Sequence, residues 1–171
     1  MRFINELEDT EYEFHGFTHT REIVRGIILN EKDEVCLEYI YDDDGFGHRD
    51  YYETPGGGID KGEDHKEALN RECEEEIGYH IEVLQDLGLV IDNYNLIKRR
   101  NHNYYYLARI TEKCPMHRLA EEDRRIKKII FVNIDEAISL YENMQDELVG
   151  KIVKNRELPI LKIVKTALQK K

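Results

Sequence analysis

Hydrophobic residues occur in short runs along most of this chain, a pattern typical of β-strands. Residues 22–29 are mostly branched aliphatic and predict a buried strand, which the polar turn 30–33 ends. Residues 35–41 predict the second arm of a hairpin. Further strands are predicted at residues 50–54, at 80–84 and 86–91 with a break between them, at 104–110 and at 129–132.

Three polar segments separate these predicted strands. Residues 42–49 predict a flexible, solvated loop that borders the following glycine-rich segment, and residues 92–95 predict a turn. Residues 98–102 are rich in lysine and arginine and are predicted to form the edge of a strand. Two roles stay open for this basic segment, a solvated edge or a contact for an anion.

A helical period replaces the strand pattern just after the glycine-rich segment 56–58. Asp64 is predicted to be the N-cap of this helix, with Glu67 as its capping-box partner. Gly78 stands where a helix ends in a left-handed residue. Apolar residues recur at every fourth position and form the predicted buried stripe, namely Leu69, Cys73 and Ile77.

Two further helices are predicted toward the C-terminus. Asn133 is expected to cap the first of them, with Glu136 at its third position, and the second is expected to begin at about Pro159. The order of strands, helix, strands and helices predicts an α+β fold with a mixed β-sheet between helices.

The first helix carries an unusual density of carboxylates. Glu72, Glu75 and Glu76 fall at i, i+3 and i+4 and therefore share one face, where their like charges repel. A hard cation such as Mg²⁺ would make this arrangement favourable, because it takes oxygen ligands. The carbonyl of Gly56 is a candidate further ligand, and Arg71 is placed to orient the carboxylates. The alternative is a solvated acidic helix.

Composition limits the kind of partner that the chain can have. The 171 residues suit one domain, and the formal net charge of −11 argues against binding to nucleic acid or to an anionic membrane. The three cysteines are odd in number and lack metal-type spacing, so they are expected to be reduced. Because the first residues contain no long apolar run, no signal peptide or membrane span is expected. The predicted location is therefore cytoplasmic.

The first 19 residues are polar and aromatic and precede the predicted core. They are expected to form either an added strand or hairpin, packed on the core or on a second subunit, or a locally docked arm. The aromatic residues in this segment make a homodimer possible.

The segment from Gly57 to Tyr79 resembles the Nudix box, the signature of the Nudix hydrolases. It reads as a glycine, five residues, Glu63, seven residues and then Arg71, followed by the glutamates of the acidic face and Gly78. Cys73 and Tyr79 stand where aliphatic residues are usual, but both are apolar enough for a buried side. The resemblance implies a Nudix-type α/β/α sandwich over residues 20–160, with 161–171 as the remainder of the last helix.

The resemblance also implies a chemistry, the hydrolysis of a nucleoside diphosphate linked to some group X, with Mg²⁺ or Mn²⁺ as cofactor. In that reading Glu72, Glu75 and Glu76 are catalytic, and together with the Gly56 carbonyl they hold the metal. Glu72 or Glu75 would take the proton from water. Box residues expected to orient the site are Gly57, Glu63, Arg71 and Gly78. In several family members a later glutamate is a ligand or base, and Glu121 and Glu122 are the candidates here.

The identity of X is weakly constrained by the sequence. Relatives that act on ADP-ribose tend to carry a proline about fifteen residues past the box, where this chain has Tyr94. In some relatives a tyrosine near this position accompanies activity on dinucleoside polyphosphates, which stay an alternative. The short chain and the tyrosines near the site suit a nucleotide base stacked on an aromatic ring. A small-molecule nucleotide, namely a nucleoside triphosphate or a related nucleotide, oxidised forms included, is therefore favoured over a nucleotide sugar. The candidate substrate contacts are Arg49, Arg99 and Tyr94.

Two hypotheses from other functional classes stay open, a binding module and an isomerase. A non-hydrolytic binding module usually has a broken box, and here every box carboxylate is present. An isomerase of the isopentenyl diphosphate type needs cysteine and glutamate groups around a buried isoprenoid pocket, an arrangement that the positions of Cys36, Cys73 and Cys114 do not suggest.

Overall fold

The computed structural model describes residues 1–44, 47–117 and 122–169 and arranges them as a seven-stranded sheet with helices on both faces. The strands are β1 (Phe3–Leu7), β2 (His19–Leu29), β3 (Val35–Asp44), β4 (Gly47–Glu53), β5 (Tyr79–Tyr94), β6 (Arg99–Lys113) and β7 (Ile126–Val132). The helices are α1 (His65–Glu76), α2 (Ile134–Asn143) and α3 (Leu148–Leu168), with short 3₁₀ turns at Asn95–Ile97 and Glu122–Arg125.

The sheet has two halves that meet at one corner. Its strand order is β1-β5-β6-β2-β3-β4, and β7 also pairs with β3. Strands β2 and β3 share only the pair Leu29 and Val35, next to the hairpin turn. The half β1-β5-β6-β2 is mixed, since β1 and β2 each run parallel to a neighbour, whereas β4-β3-β7 is antiparallel. Away from the corner, both halves line a common cavity.

A separate apolar core lies on each face of the sheet. Helix α1 buries Leu69 and Cys73 against Val24, Ile28 and other residues of the sheet. On the opposite face α2 and α3 cover a larger cluster, which includes Tyr105 and Leu107 of β6. The arrangement is an α/β/α sandwich around a mixed sheet, and this confirms the predicted fold class.

Local sequence signals explain where two helices begin and end. The Asp64 side chain accepts a hydrogen bond from the backbone at the start of α1, and Glu67 reaches back to the Asp64 backbone, which is the predicted capping box. Gly78 follows α1 with a φ of +73°, in the left-handed region that favours glycine. The Asn133 side chain caps α2 by accepting from the Glu136 N–H at 2.9 Å.

Four predictions about the strands and their connections differ from the structure. The predicted loop at 42–49 is strand in its described part, because β3 continues to Asp44, β4 begins at Gly47, and Asp43 pairs with His48. The predicted turn at 92–95 is largely strand, since β5 continues to Tyr94 before the 3₁₀ turn. The expected break in β5 is only a set of bulges. The basic segment 98–102 is not an edge, because β6 lies between β5 and β2.

The last helix begins at Leu148, eleven residues before the predicted start at Pro159. Proline inside a helix costs roughly 3 kcal/mol because it removes a backbone donor and crowds the preceding turn. Eight residues of α3 are buried, including Val153, Ile160 and Leu161, and each buried aliphatic side chain contributes roughly 1.5–3 kcal/mol. Burial on both sides of Pro159 therefore outweighs the cost of the proline.

The N-terminal residues dock on their own chain. Strand β1 adds to the mixed half beside β5, as one of the predicted alternatives has it. Beyond β1, the Asp9 carboxylate accepts from the Asn95 N–H at 2.8 Å, and the Glu11 carboxylate accepts from the Leu148 N–H at 2.8 Å. The arm thus connects β5 to the start of α3. A homodimer stays a prediction.

No helix within the described ranges has the length and apolar character needed to cross a membrane.

Candidate active site

The glycine loop between β4 and α1 is held against β2 by backbone hydrogen bonds. The Val24 N–H donates to the Gly57 carbonyl at 2.9 Å, and the Gly26 N–H donates to the Pro55 carbonyl at 2.9 Å. Gly56 has a φ of +139°, and a Cβ at this position would collide with the Val24 carbonyl oxygen. Only glycine allows the loop to lie this close to β2.

Three glutamates of α1 lie along one side of the cavity, next to this loop. Glu72, Glu75 and Glu76 all contribute to its lining, together with residues 56–58. Glu72 packs directly on Gly57, since a Cβ at Gly57 would lie 2.5 Å from Glu72 Oε2. Glu75 is the most accessible of the three, with 32% of its side chain exposed against 12% for Glu72.

Arg71 joins the glycine loop to the acidic face of α1. Its guanidinium forms a two-point ion pair with Glu63, with both bonds 2.9 Å long, and donates to the Gly58 carbonyl at 2.9 Å. The remaining terminal nitrogen donates to Glu72 at 2.8 Å. Because a guanidinium presents its donors in a fixed plane, this one side chain fixes the loop and the Glu72 carboxylate relative to each other.

Burial and neighbouring carboxylates disfavour the charged forms of two glutamates on the acidic face. Burial raises the pKa of Glu76 well above its usual range, and the nearby carboxylates of Glu38 and Glu72 raise it further, although the Gly56 N–H donates to Glu76 at 2.8 Å. Burial also raises the pKa of Glu72, and Arg71 opposes this shift. A cation in the cavity would favour the ionised forms of both groups.

This donor set fits a hard divalent cation. The carboxylates are oxygen donors, two of them are largely buried, and a cation would offset both the burial and the mutual repulsion that raise their pKa values. The side chains do not converge on a preformed cage, since within the described ranges no group of three or more histidine, cysteine, aspartate or glutamate residues is close enough to hold a metal. In this structure Glu72 pairs with Arg71, and Glu76 accepts from Gly56.

The cavity has a volume of about 460 Å³, within the range of small-molecule sites. The acidic face lies on one side, and the rest of its lining carries several arginines. All three predicted substrate contacts, Arg49, Arg99 and Tyr94, lie in its wall. So do four arginines that the sequence analysis did not single out, namely Arg21, Arg25, Arg125 and Arg156. The cavity therefore brings cationic donors and the acidic face of α1 together.

A buried polar network supports the cavity from the side of α3. Arg156 forms ion pairs with Glu53 and Glu157 at 2.8 Å and with Asp92 at 3.4 Å. Glu53 also pairs with Arg25 at 2.7 Å. Since Glu53 lies just before the glycine loop, the network connects α3 to the strand that delivers the loop.

Several residues of the site gave weak signals in the sequence. Glu38 is a charged residue in the otherwise apolar run 35–40, and such an exception within a buried strand is itself a signal. Asp92 and Asn101 lay in segments predicted to be a turn and an edge, so their burial was not expected. Of the later acidic candidates, Glu121 lies outside the described residues. Glu122 begins the second 3₁₀ turn, and its side chain is also outside the described part.

Comparisons with known proteins agree with this geometry. A sequence model of the NUDIX domain matches residues 19–151. No curated protein matches the sequence. The fold is similar to that of a MutT protein from Methanosarcina mazei Go1, with a TM-score of 0.63 and 15% identity over 91% of this chain and 98% of that one.

Two other similar structures carry different names. A UDP-X diphosphatase has a TM-score of 0.57 and 18% identity, over 89% of this chain and 66% of that one. An ADP-ribose pyrophosphatase from Streptococcus suis has a TM-score of 0.51 and 16% identity, over 82% and 88%. At these identities the similarities show a shared fold.

Proposed function

The chain belongs to the Nudix family of pyrophosphohydrolases, and we propose that its substrate is a nucleoside triphosphate or an oxidised form of one. One observation carries the proposal. The glutamates of the acidic face of α1 line the same cavity as several arginines and Tyr94, and this supports a site that takes a cation, phosphates and a base together.

We propose Mg²⁺, or Mn²⁺ in its place, as the cofactor, held by Glu72, Glu75, Glu76 and the Gly56 carbonyl. The bound cation would neutralise the diphosphate and lower the pKa of water. The contribution of the protein is to fix these oxygen donors, since Arg71 holds Glu72 and the Gly56 N–H holds Glu76. Replacement of Glu72 or Glu76 by glutamine would keep the shape of the side chain but remove the negative charge proposed to hold the cation.

Among the two candidate bases, Glu75 fits proton transfer better than Glu72. A base has to reach the attacking water and then release its proton to solvent. Glu72 is held by Arg71 and packed on Gly57, whereas Glu75 is 32% exposed and lies 3.8 Å from the nearest Arg71 nitrogen. The arginines of the wall, among them Arg49 and Arg99, would bind the phosphates that the cation does not reach.

The alternative substrates are ADP-ribose, a nucleotide sugar or a dinucleoside polyphosphate. Two of the similar structures are named as a UDP-X diphosphatase and an ADP-ribose pyrophosphatase, so alternatives of this kind have to be tested as well. We also propose a cytoplasmic location, which rests on composition alone. A non-catalytic binding module is disfavoured because every carboxylate of the box is present.

A product-resolved screen tests the proposal. The purified protein is incubated with Mg²⁺ or Mn²⁺ and with nucleoside triphosphates, their 8-oxo forms, ADP-ribose, dinucleoside polyphosphates and NADH. Release of a nucleoside monophosphate and pyrophosphate from a triphosphate is the expected result. Cleavage of only ADP-ribose or a dinucleotide would overturn the substrate assignment, and the absence of any turnover would favour a binding module.

A further inference from the structure

Arg21 of β2 lines the cavity next to the glycine loop. Alternate side chains of a strand share one face, and Arg25 lines the same cavity two residues further along β2. Glu22 lies on the opposite face, where its carboxylate accepts from the Tyr104 hydroxyl at 2.7 Å and contacts His102 Nδ1 at 3.0 Å. The carboxylate beside Arg21 in the sequence is therefore engaged elsewhere.

The guanidinium of Arg21 lies on Gly58 and is accessible. A Cβ at Gly58 would lie 3.0 Å from Arg21 Nη2 and 3.2 Å from its Nε. Arg71 donates to the carbonyl of the same glycine at 2.9 Å and to Glu72 at 2.8 Å. Arg21 is half-buried as a residue, and none of its side-chain nitrogens is among the fully buried, unpartnered atoms of the described residues. A ligand in the cavity can therefore reach this cation beside the loop that positions Glu72.

Arg21 has no acidic partner. Its side chain forms no hydrogen bond or ion pair with any residue in the described ranges. The other arginines of the cavity lining are each engaged in a hydrogen bond, an ion pair or a similar interaction, namely Arg25, Arg49, Arg71, Arg99, Arg125 and Arg156. The chain has 36 acidic residues against 25 lysines and arginines, so a shortage of carboxylates does not explain why Arg21 is unpaired. Its N–H donors are available to an anionic ligand.

The sheet separates Arg21 from Tyr94, the proposed contact for the base. Arg21 pairs with Asn101 of β6, which in turn pairs with Asp92 of β5. Tyr94 lies two residues further along β5. Because neighbouring strands are roughly 4.8 Å apart, two strand spacings place Arg21 at least about 10 Å from Tyr94 across the sheet. A nucleotide whose base lies on Tyr94 would therefore bring its terminal phosphates toward Arg21.

We propose that Arg21 binds the terminal phosphates of a nucleoside triphosphate, those that leave as pyrophosphate. The inference rests on the proposed function for the base on Tyr94 and for the cation on the acidic face. It goes further by naming a group that the substrate has to carry. In ADP-ribose a ribose takes the place of the third phosphate, so the end that would lie at Arg21 has no charge. Arg21 therefore favours a triphosphate over a nucleotide sugar.

The first test is the hydrolysis of the best triphosphate substrate by Arg21→Gln with Mg²⁺. We expect kcat/KM to fall by about ten- to a hundred-fold, the effect of a lost charge-assisted hydrogen bond. The loss should be in KM, with kcat within about three-fold, because Arg21 is assigned to binding. Arg21→Lys should recover part of the loss, since lysine keeps the charge without the guanidinium geometry. A fall in kcat at constant KM would mean that Arg21 acts through the glycine loop, and it would overturn the inference.

The matched control is Arg100→Gln, which changes the net charge by the same amount. Arg100 lies on the other face of β6 from Asn101's neighbour Arg99 and pairs with Glu6 at 2.8 Å. Its kinetic constants should match the wild type. Thermal unfolding verifies that Arg21→Gln is folded, which we expect because Arg21 has no partner to lose. If Arg21→Gln does not fold, Arg21→Lys decides, with an expected loss of about three- to ten-fold in kcat/KM.

The second test measures equilibrium binding by calorimetry with Mg²⁺, and it needs no turnover. Inorganic pyrophosphate should bind Arg21→Gln about ten- to a hundred-fold more weakly than the wild type, whereas AMP and GMP should bind both proteins within about three-fold. Equal affinities for pyrophosphate would overturn the inference. So would a loss of affinity for the monophosphates in place of pyrophosphate, because Arg21 would then contact the other end of the substrate.

The two hypotheses fail in different ways. Triphosphate hydrolysis with the same KM in wild type and Arg21→Gln would contradict the inference and leave the proposed function intact. Binding of pyrophosphate that Arg21→Gln weakens, without turnover of any triphosphate by the wild type, would support the anion contact and contradict the proposed reaction.

Discussion

Replacement of Arg156 by leucine tests whether the ion network under the cavity holds the fold together. The guanidinium lies between three acidic side chains, those of Glu53, Asp92 and Glu157, all of them largely buried. Leucine fills part of the space but cancels none of these charges. The variant therefore leaves buried carboxylates with fewer partners, which is more damaging than the loss of the ion pairs alone.

The expected magnitude follows from the partners that remain. Breaking a buried ion pair by removing one member costs roughly 3–5 kcal/mol. Glu53 would keep Arg25, and Glu157 would keep the Thr54 N–H at 2.8 Å and the Tyr141 hydroxyl at 2.6 Å. These contacts favour the lower end, about 3 kcal/mol. For a chain of this size that loss lowers Tm by roughly 6–12 °C.

The assay is thermal and denaturant unfolding of the metal-free protein, with Lys162→Leu as the matched control. Lys162 is another cation of α3, paired with Glu142 at 3.0 Å, but both side chains are exposed. Its removal should cost less than about 1 kcal/mol. A loss below about 1 kcal/mol for Arg156→Leu, similar to the control, would refute the reasoning.

The same variant has a predictable dependence on pH. Burial alone raises the pKa of Glu53, but Arg25 and Arg156 outweigh it and lower the pKa below the ordinary value of 4.5. A carboxyl with a lowered pKa contributes stability that is present above pH 4.5 and is lost as the pH falls toward the lowered pKa. The difference in stability between wild type and Arg156→Leu should therefore narrow below about pH 4.5.

Three further predictions concern the acidic face, the glycine loop and the N-terminal arm. Because the pKa of Glu76 is raised, ionisation of this side chain lowers the stability of the fold as the pH rises through that pKa. Glu76→Gln should therefore stabilise the metal-free protein at neutral pH by on the order of 1 kcal/mol. It should also reduce the rise in Tm that Mg²⁺ causes, and thermal unfolding measures both effects. Gly57→Ala should displace the Glu72 carboxylate, so kcat should fall at least ten-fold and the Mg²⁺ requirement should rise, and unchanged kinetics would contradict the close packing. Glu11→Ala should cost about 1 kcal/mol in denaturant unfolding, because the Glu11 carboxylate caps the first N–H of α3 and pairs with Lys151 at 2.7 Å, and no loss of stability would argue against docking of the arm.

The sequence correctly predicted those features that depend only on residues close together in the chain. The capping box of Asp64 and Glu67 and the left-handed Gly78 depend on neighbouring residues only, so the limits of α1 could be predicted. The glutamate spacing likewise placed the acidic face on one side of the helix. A helical period and a few local signals were enough for these features.

The remaining parts of the cavity could not be predicted because they depend on pairing between distant strands. In the sequence, Asp92 is typical of a turn. In the fold, Asn101 and Asn103 of β6 lie beside it and donate hydrogen bonds to its carboxylate. Arg99 looks like a solvated edge until β2 is placed along the other side of β6. Pro159 looks like a helix start until the buried residues before it are counted in the same helix. In each case tertiary packing overrode the local signal.

The central claim is that the acidic face of α1 performs the hydrolysis, and Glu75→Gln tests it most directly. The measurement is kcat for release of nucleoside monophosphate at saturating Mg²⁺, with circular dichroism to verify the fold. The control is Glu74→Gln, one residue away, because Glu74 contacts Asn70 and His80 instead of the cavity. Turnover should fall by at least about a hundred-fold in Glu75→Gln and stay near wild type in Glu74→Gln. Near-wild-type turnover in a folded Glu75→Gln would contradict the role assigned to Glu75.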